Sequence, residues 1–500
     1  MNFGFVSYYA LMIFVVLDVA TVTWGPMNRE LGFGFTLLND SYAAGCASLA
    51  IGALLLIPFA LKFGRRPVYI FSTAVQCGLC VWLAEMKSVF DLMIPSIMVS
   101  FVGALAEVLV QMTVADVYFV HQRGRVNTIY YWIVAVGTSL PPVAGGYITL
   151  SQGWRWVWWW VAILLGTGLV GLVFLYEETM FLRHIDGVQV IDSSGVGPPV
   201  DKERQDLQVK RDGDRIEEAQ PTRRGGNSIE EANPTLSSMR IDQSIPKKTY
   251  WNKLRLWAVS PTPFIHVVRH VYEPLVVLFT FPAILFMAVV YGITTTCATV
   301  TVTTLSSVMT LPPYNFGAQE IGLMGIPPFI GVSLSSLMCG PLMDWLALFL
   351  ARRNGGVFKP EMRLWVPLVF TPFVPAGLFM FGIGLDNGTH WLLPAFGLAL
   401  MGFGMVPASS AALTYLTDSY TEIIANALVG VTFMRNVISM VFVFIHKPWI
   451  ERAGLTWFFV TFGLIVTVVL LTNLVFIRFG ESMRVRLAHR YLHYANHTLQ

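Results

Sequence analysis

The chain has 500 residues and a formal charge of +3; 55% of it is hydrophobic and only 13% charged, and its mean hydropathy is +0.61. Soluble domains carry about 25% charged residues, so the composition excludes an ordinary soluble protein and points to a polytopic membrane protein. A near-neutral balance gives no case for nucleic-acid binding, and the lack of HExxH, GxSxG and GxxxxGK[ST] patterns leaves none for an enzyme or an ATP-driven pump.

A membrane-crossing helix needs about 20 mostly apolar residues. In chain order, six stretches qualify at roughly 4–26, 41–61, 68–86, 93–115, 129–150 and 157–176. Six more follow at roughly 275–303, 320–350, 364–384, 391–413, 424–446 and 456–477. The first lacks a basic leader and a small-residue cleavage site, so it reads as a retained span and not a signal peptide. The expected fold class is an all-α membrane protein, twelve transmembrane helices in two pseudo-symmetric six-helix bundles. The expected organisation is an N-terminal bundle over 1–176, a linker over 177–273, a C-terminal bundle over 274–480 and a tail over 481–500. The middle of the linker, "DKERQDLQVKRDGDRIEEAQPTRRGGNSIEEANP", has no aromatic residue and cannot bury enough apolar surface to fold alone. Near its end, Tyr250–Phe264 has the pattern of a helix lying on a membrane surface.

Basic residues set the orientation. Loops after even-numbered spans hold Lys62, Arg65 and Arg66, then Arg123 and Arg125, then Arg352, Arg353, Lys359 and Arg363. Loops after odd-numbered spans hold few. Both termini and the linker are therefore expected in the cytoplasm. The five cysteines all fall in apolar runs. Cys77 and Cys80 form a CxxC with no second pair, which reads as small buried side chains and not as a zinc site.

The halves echo each other. "TVADVYF" (Thr113–Phe119) closes span four as "TYLTDSY" (Thr414–Tyr420) closes span ten, and "IPFALKFGRRP" after span two matches "GPLMDWLALFLARRN" after span eight. Two six-span halves joined by a cytoplasmic linker make the architecture of a secondary transporter with parallel repeats.

"FGRRPVY" (Phe63–Tyr69) resembles the end of the loop 2–3 signature of the major facilitator superfamily, and "LPPVAGG" resembles the antiporter signature of its fifth span. "VADVYFVHQRGR", "GWRWVWWW", "LPPYNFGAQEIGL", "GPLMDW", "KPEMRL" and "MRN" occur in that order. The ordered set resembles the fungal drug:proton antiporter-like branch of twelve-span facilitators, whose members carry polyamines, other organic cations and drugs. The likeness covers the chain except the linker. Two departures stand out: Ile57 and Leu61 occupy the first glycine and the aspartate of the loop 2–3 signature, while the second copy keeps Gly340, Leu342 and Asp344. In the family that aspartate serves a charge relay latching the halves. The resemblance implies proton-coupled antiport of an organic cation or amphipathic compound. Its partners would be a small-molecule substrate, protons and the lipid bilayer, with no cofactor, metal or nucleic acid, in a monomer of the plasma membrane. Uptake by symport and a non-transporting nutrient sensor on the same fold are the alternatives.

A charge deep in a bilayer is costly, so each one needs a reason. Asp18, two-thirds along span one, reads either as a proton or cation site or as a hydrated residue near the interface. Glu107, after "GALAE" in span four, reads as a coupling or substrate group, against a structural hydrogen bond between helices. Arg435, followed by Asn436, lies roughly 15 Å into span eleven at 1.5 Å per residue; it reads as a structural residue of the second half or as a cavity cation. Tyr131 and Trp132 on span five and Tyr291 with Thr294–Thr296 on span seven are cavity candidates. Asp116 with Arg65, Arg66, Arg123 and Arg125 reads as an inner gate, with Asp344, Arg352 and Arg353 as its counterpart. Trp154, Trp156 and Trp158 read as an interfacial belt in preference to a cation–π cage. In "GTSLPPVAGG", Gly137, Gly145 and Gly146 would allow close helix packing and Pro141 and Pro142 would bend the span.

Overall fold

The computed structural model describes residues 2–117, 132–177, 264–420 and 423–498. The side chain of Asp116, residues Arg123, Arg125 and Tyr131, and the Tyr250–Phe264 amphipathic stretch up to residue 263 lie outside the described set. Among the described residues, twelve helices are long and apolar enough to cross a membrane. In the first half they are Gly4–Leu31, Phe35–Phe63, Arg65–Ala84, Val89–Val110, Trp132–Gln152 and Trp154–Leu175; in the second, Pro282–Val308, Ala318–Arg353, Pro360–Asp386, Leu392–Ser419, Ile424–Ala453 and Leu455–Tyr491. We refer to them as spans one to twelve. Helices are what lipid demands, since every backbone donor and acceptor must be satisfied inside the segment.

Several connections are a single glycine. Gly64 joins spans two and three, Gly153 joins five and six, and Gly454 joins eleven and twelve, with φ of 99°, 96° and 87°. A side chain at those angles is strained, so glycine permits the one-residue reversal. The turns at Gly153 and Gly454 also share ψ, 158° and 159°, which makes them equivalent points of the repeat. The packing repeats too. Span two lies on four as eight lies on ten; three lies on six as nine lies on twelve; one lies on five as seven lies on eleven.

Span five is broken where the prolines predict. Backbone helix runs over 132–139, bends at Leu140, and resumes as Pro141–Gln152 with proline at its first positions. Proline is tolerated there because those N–H groups have no intrahelical partner anyway.

The expected boundary at 273/274 falls inside a helix. A helix spans Phe264–Thr280 ahead of span seven. Its buried Glu273 is ion-paired with Arg269 and accepts from the Asn426 amide of span eleven at 3.2 Å. Burial works against the charge on Glu273, but the adjoining His270 and Arg269 outweigh it and hold the carboxyl below its ordinary range. The last helix likewise runs on as Asn473–Thr498, through the stretch read as a tail. Arg484 on it clasps buried Glu361 in a forked pair of 2.6 and 2.8 Å, tying it to the 3-10 turn Pro360–Leu364 that opens span nine.

The tryptophan cluster of span six divides by face. Trp156 and Trp160 are exposed, as an interfacial belt requires, but Trp154 and Trp158 are buried in the core of the first half. The belt reading is corrected for those two: residues four apart share a helix face, and theirs points inward. Trp154 gives its indole N–H to Glu30 of span one at 2.6 Å, and Glu30 is also ion-paired with Arg155.

Candidate functional site

A cavity of about 410 Å³ lies between the halves. Spans one to six line it from the first half, three and six through Leu83 and Trp158 alone, and spans seven, eight, ten and eleven from the second. Its chemistry is uneven. Both halves contribute hydroxyls, but the carboxylates, Asp18 and Glu107, come from the first half and the cation, Arg435, from the second.

Glu107 and Arg435 face each other across the seam. The guanidinium of Arg435 is ion-paired with one carboxylate oxygen of Glu107. Asn436 donates its amide to the other at 3.0 Å, and Arg435 also donates to the Asn436 side-chain oxygen at 3.1 Å. The Tyr291 hydroxyl accepts from Arg435 at 3.4 Å, and the guanidinium carbon lies 5.4 Å from the centre of the Tyr291 ring. Both partners are nearly enclosed, with side chains 12% and 5% exposed. Arg435 thus bonds to the opposite half through Glu107 as well as to Tyr291 and Asn436 of its own. Removing one partner of such a pair strands the other charge, at about 3–5 kcal/mol.

Asp18 differs. Among the described residues its side chain has one hydrogen-bond partner, the Tyr42 hydroxyl of span two, which donates to it at 3.1 Å; no cation there lies within ion-pair range. The backbone carbonyl of Asp18 accepts from Thr21 at 3.0 Å. The cavity thus holds two carboxylates, one cancelled by an internal arginine and one not.

Of the other sequence-predicted residues, Tyr291 and Thr295 line the cavity. Thr294 and Thr296 turn to helix partners, meeting Ser409 and Ser439 at 3.0 Å each. Trp132 does not line the cavity and is 46% exposed; Val134, Ala135 and Thr138 are the lining residues of that turn. Arg66 is buried and donates to the Val173 carbonyl at 2.6 Å, and Arg65 to Ala60 at 3.3 Å. Asp344 pairs with Arg363 at 4.0 Å, and Arg363 also meets Asp418 at 3.1 Å, so Arg363 takes the place expected of Arg352 and Arg353. Tyr42 and Cys46 also line the cavity and escaped the sequence reading, because neither carries a charge to mark it.

The span-five motif meets both halves. A Cβ on Gly137 would lie 3.0 Å from Phe14, and one on Gly145 would lie 2.9 Å from Val19, both on span one. One on Gly146 would sit 2.6 Å from the Ala318 carbonyl of span eight. The contact is reciprocal: a Cβ on Gly322 would meet the Pro142 carbonyl at 2.3 Å, and one on Gly325 the Ser139 carbonyl at 2.3 Å. Backbone rests on backbone, and this seam closes the cavity at the Gly153 end. Gly340, further along span eight, lines the cavity and faces open space, so the two spans part towards the other end.

Twelve apolar helices in two repeating halves around a central cavity that carries buried charges define a membrane transporter of small molecules. The Major Facilitator Superfamily model matches residues 4–444, and the chain belongs to that family. Among its relatives, the MFS-type transporter C1271.10c of Schizosaccharomyces pombe is 30% identical, over 94% of this chain and 82% of that one. Protein HOL1 of Saccharomyces cerevisiae is 26% identical over 91% and 81%. The fold is similar to that of the xylose transporter XylE from E. coli, with a TM-score of 0.58, 12% identity, and 95% and 98% of the two chains covered.

Proposed function

We propose that this protein is a proton-coupled antiporter that exports an organic cation or amphipathic compound by alternating access. The observation that carries the reading is the unequal pair of carboxylates. Among the described residues Asp18 lines the cavity without a cation partner, so it can take either a proton or a substrate cation, but not both. Competition for one site is what exchange requires. Glu107, held by Arg435 and Asn436 across the seam, is the clasp between the halves. Its pairing leaves it a poorer landing site for substrate than Asp18.

With the loops after even-numbered spans read as cytoplasmic, the glycine seam between spans five and eight is read as the outer closure, which supports the reading of an inward-facing state. Opening outward requires that seam to part and the halves to rock about the pair in the middle. A ligand drives that change only by binding the two states unequally.

The test is flux of radiolabelled tetraethylammonium from proteoliposomes of the purified protein, with and without an imposed pH gradient. Export that accelerates when protons can enter in exchange supports the reading. Flux that ignores the gradient refutes proton coupling, and flux accelerated by a gradient in the same direction as substrate identifies symport. Asp18→Asn removes the exchangeable charge and is expected to abolish gradient-driven exchange.

A further inference from the structure

The last helix, Asn473–Thr498, sorts its side chains by face. One face docks on the second half. Phe476 stacks on Phe286 with ring centroids 3.8 Å apart, Tyr491 meets Tyr420 at 6.0 Å, and Tyr494 meets Phe281 at 6.1 Å. Phe281 directly precedes span seven and Tyr420 directly follows span ten, so the helix stays beside the bundle down to the level where those spans end. Away from that face stand Arg478, Arg486 and Arg490, all exposed. Their spacing of eight and four residues puts them on one stripe. A fourth arginine, Arg484, turns inward to Glu361. Glu481, the one acid in this helix, is taken by Lys359 of the loop before span nine. The three arginines of the stripe have no ion pair among the described residues.

The stripe continues a face already given to lipid. Leu464, Val468, Leu471 and Val475 are exposed apolar residues of span twelve, and their spacing of four, three and four residues carries on to Arg478 and then Arg486. Thr472, where the two helices join, keeps helical backbone angles of −63° and −14°, so the register passes through unbroken. The exposed apolar run ends at Phe479, which places Arg478 at the edge of the hydrocarbon. Arg486 lies roughly 11 Å beyond Phe479 along the helix. A headgroup layer is about 5–8 Å thick, and the arginine side chain spans the remainder.

We infer that this stripe is a binding surface for anionic phospholipid, with Arg478 and Arg486 on the headgroups and Arg490 in the field just outside them. A guanidinium bonds a phosphate or carboxylate through two parallel N–H groups, and basic residues beside a span gain most from anionic lipid. The bound lipid presses the last helix onto the ends of spans seven and ten. An acidic protein segment would match the charge but not the position, which prolongs the lipid face of span twelve. The inference is independent of how the cavity works.

The experiment titrates the full-length protein in detergent micelles with palmitoyl-oleoyl phosphatidylserine or phosphatidylcholine and counts bound lipid by native mass spectrometry. Wild type is expected to bind phosphatidylserine about tenfold or more tighter than phosphatidylcholine. The triple variant Arg478→Gln, Arg486→Gln, Arg490→Gln is expected to bring the two lipids within about twofold, and Arg486→Gln alone to cost about fivefold for phosphatidylserine. A control removes the same charge from the opposite end at three exposed residues, Arg29→Gln, Lys87→Gln and Arg452→Gln, and should keep the preference. All six positions are exposed, and circular dichroism checks that both triple variants stay folded. No preference in wild type, the result if acidic protein covers the stripe, overturns the inference. So does a preference that survives the triple variant, or one that the control loses equally, which would be the effect of net charge alone.

Discussion

Glu107→Gln is the sharpest perturbation of the site. It keeps the shape of the side chain and one acceptor oxygen for Asn436, but removes the charge opposite Arg435. Both groups are nearly enclosed, so the stranded guanidinium loses its partner where water cannot replace it. Breaking such a pair by removing one member costs about 3–5 kcal/mol. Arg435→Gln strands the carboxylate instead and is expected to cost a similar amount. The double variant leaves no unpaired charge, so its cost should fall well short of the sum, with a coupling of about 2–3 kcal/mol within the range for residues in contact. Thermal and denaturant unfolding of the purified protein in detergent measures all three. Strict additivity would show that the two residues do not act on each other, and would refute the clasp. Because the pair joins the halves, Glu107→Gln should also raise the reactivity of Cys46, a free cysteine in the cavity wall, towards a membrane-impermeant maleimide. Unchanged labelling would show that the pair does not restrain opening.

Four further outcomes follow from other parts of the structure. Gly322→Leu places side-chain atoms where a Cβ alone would be 2.3 Å from the Pro142 carbonyl, so it should hold the seam open and abolish transport while leaving the helical circular dichroism intact; wild-type flux would contradict the seam. Glu361→Gln breaks the buried fork to Arg484 and should lower unfolding stability by about 2–4 kcal/mol with earlier proteolysis of the last helix, whereas Glu481→Gln loses only the exposed pair to Lys359 and should change stability by under about 0.5 kcal/mol. The Glu273 carboxyl is lowered in the folded protein, so its contribution is present above the ordinary carboxylate pKa of about 4.3 and is lost as pH falls through the lower folded value. A stability profile measured between pH 7 and pH 3 should therefore show a smaller acid-side loss in Glu273→Gln than in wild type.

The membrane fold was legible because lipid imposes it. Twelve long apolar runs can do little else, and each sequence-predicted span has a helix in its place. The repeat was legible at the ends of spans, where charged and small residues recur. Glu107, Asp18 and Arg435 announced themselves as charges in apolar surroundings. Their partners did not. The 328 positions between Glu107 and Arg435 carry no periodicity that tells which opposing helix each meets, and Arg363 outranks Arg352 and Arg353 beside Asp344 only because the chain doubles back after Gly355 and Gly356. The tryptophans of span six were readable and were misread: their alternate spacing looks like a belt, but the i, i+4 relation of Trp154 and Trp158 separates an inner from an outer face. Tyr42 was invisible for a different reason, since a tyrosine in a membrane helix looks the same whether it faces lipid or an aspartate.

The glycine seam between spans five and eight has one further consequence. It is made of carbonyl oxygens resting on bare α-carbons, so it has no charge for salt to screen and no proton to gain or lose. Its strength is set by fit alone. Opening there should respond to a methyl group and stay indifferent to acidity and ionic strength, which leaves the sensing of protons to the carboxylates in the middle of the molecule.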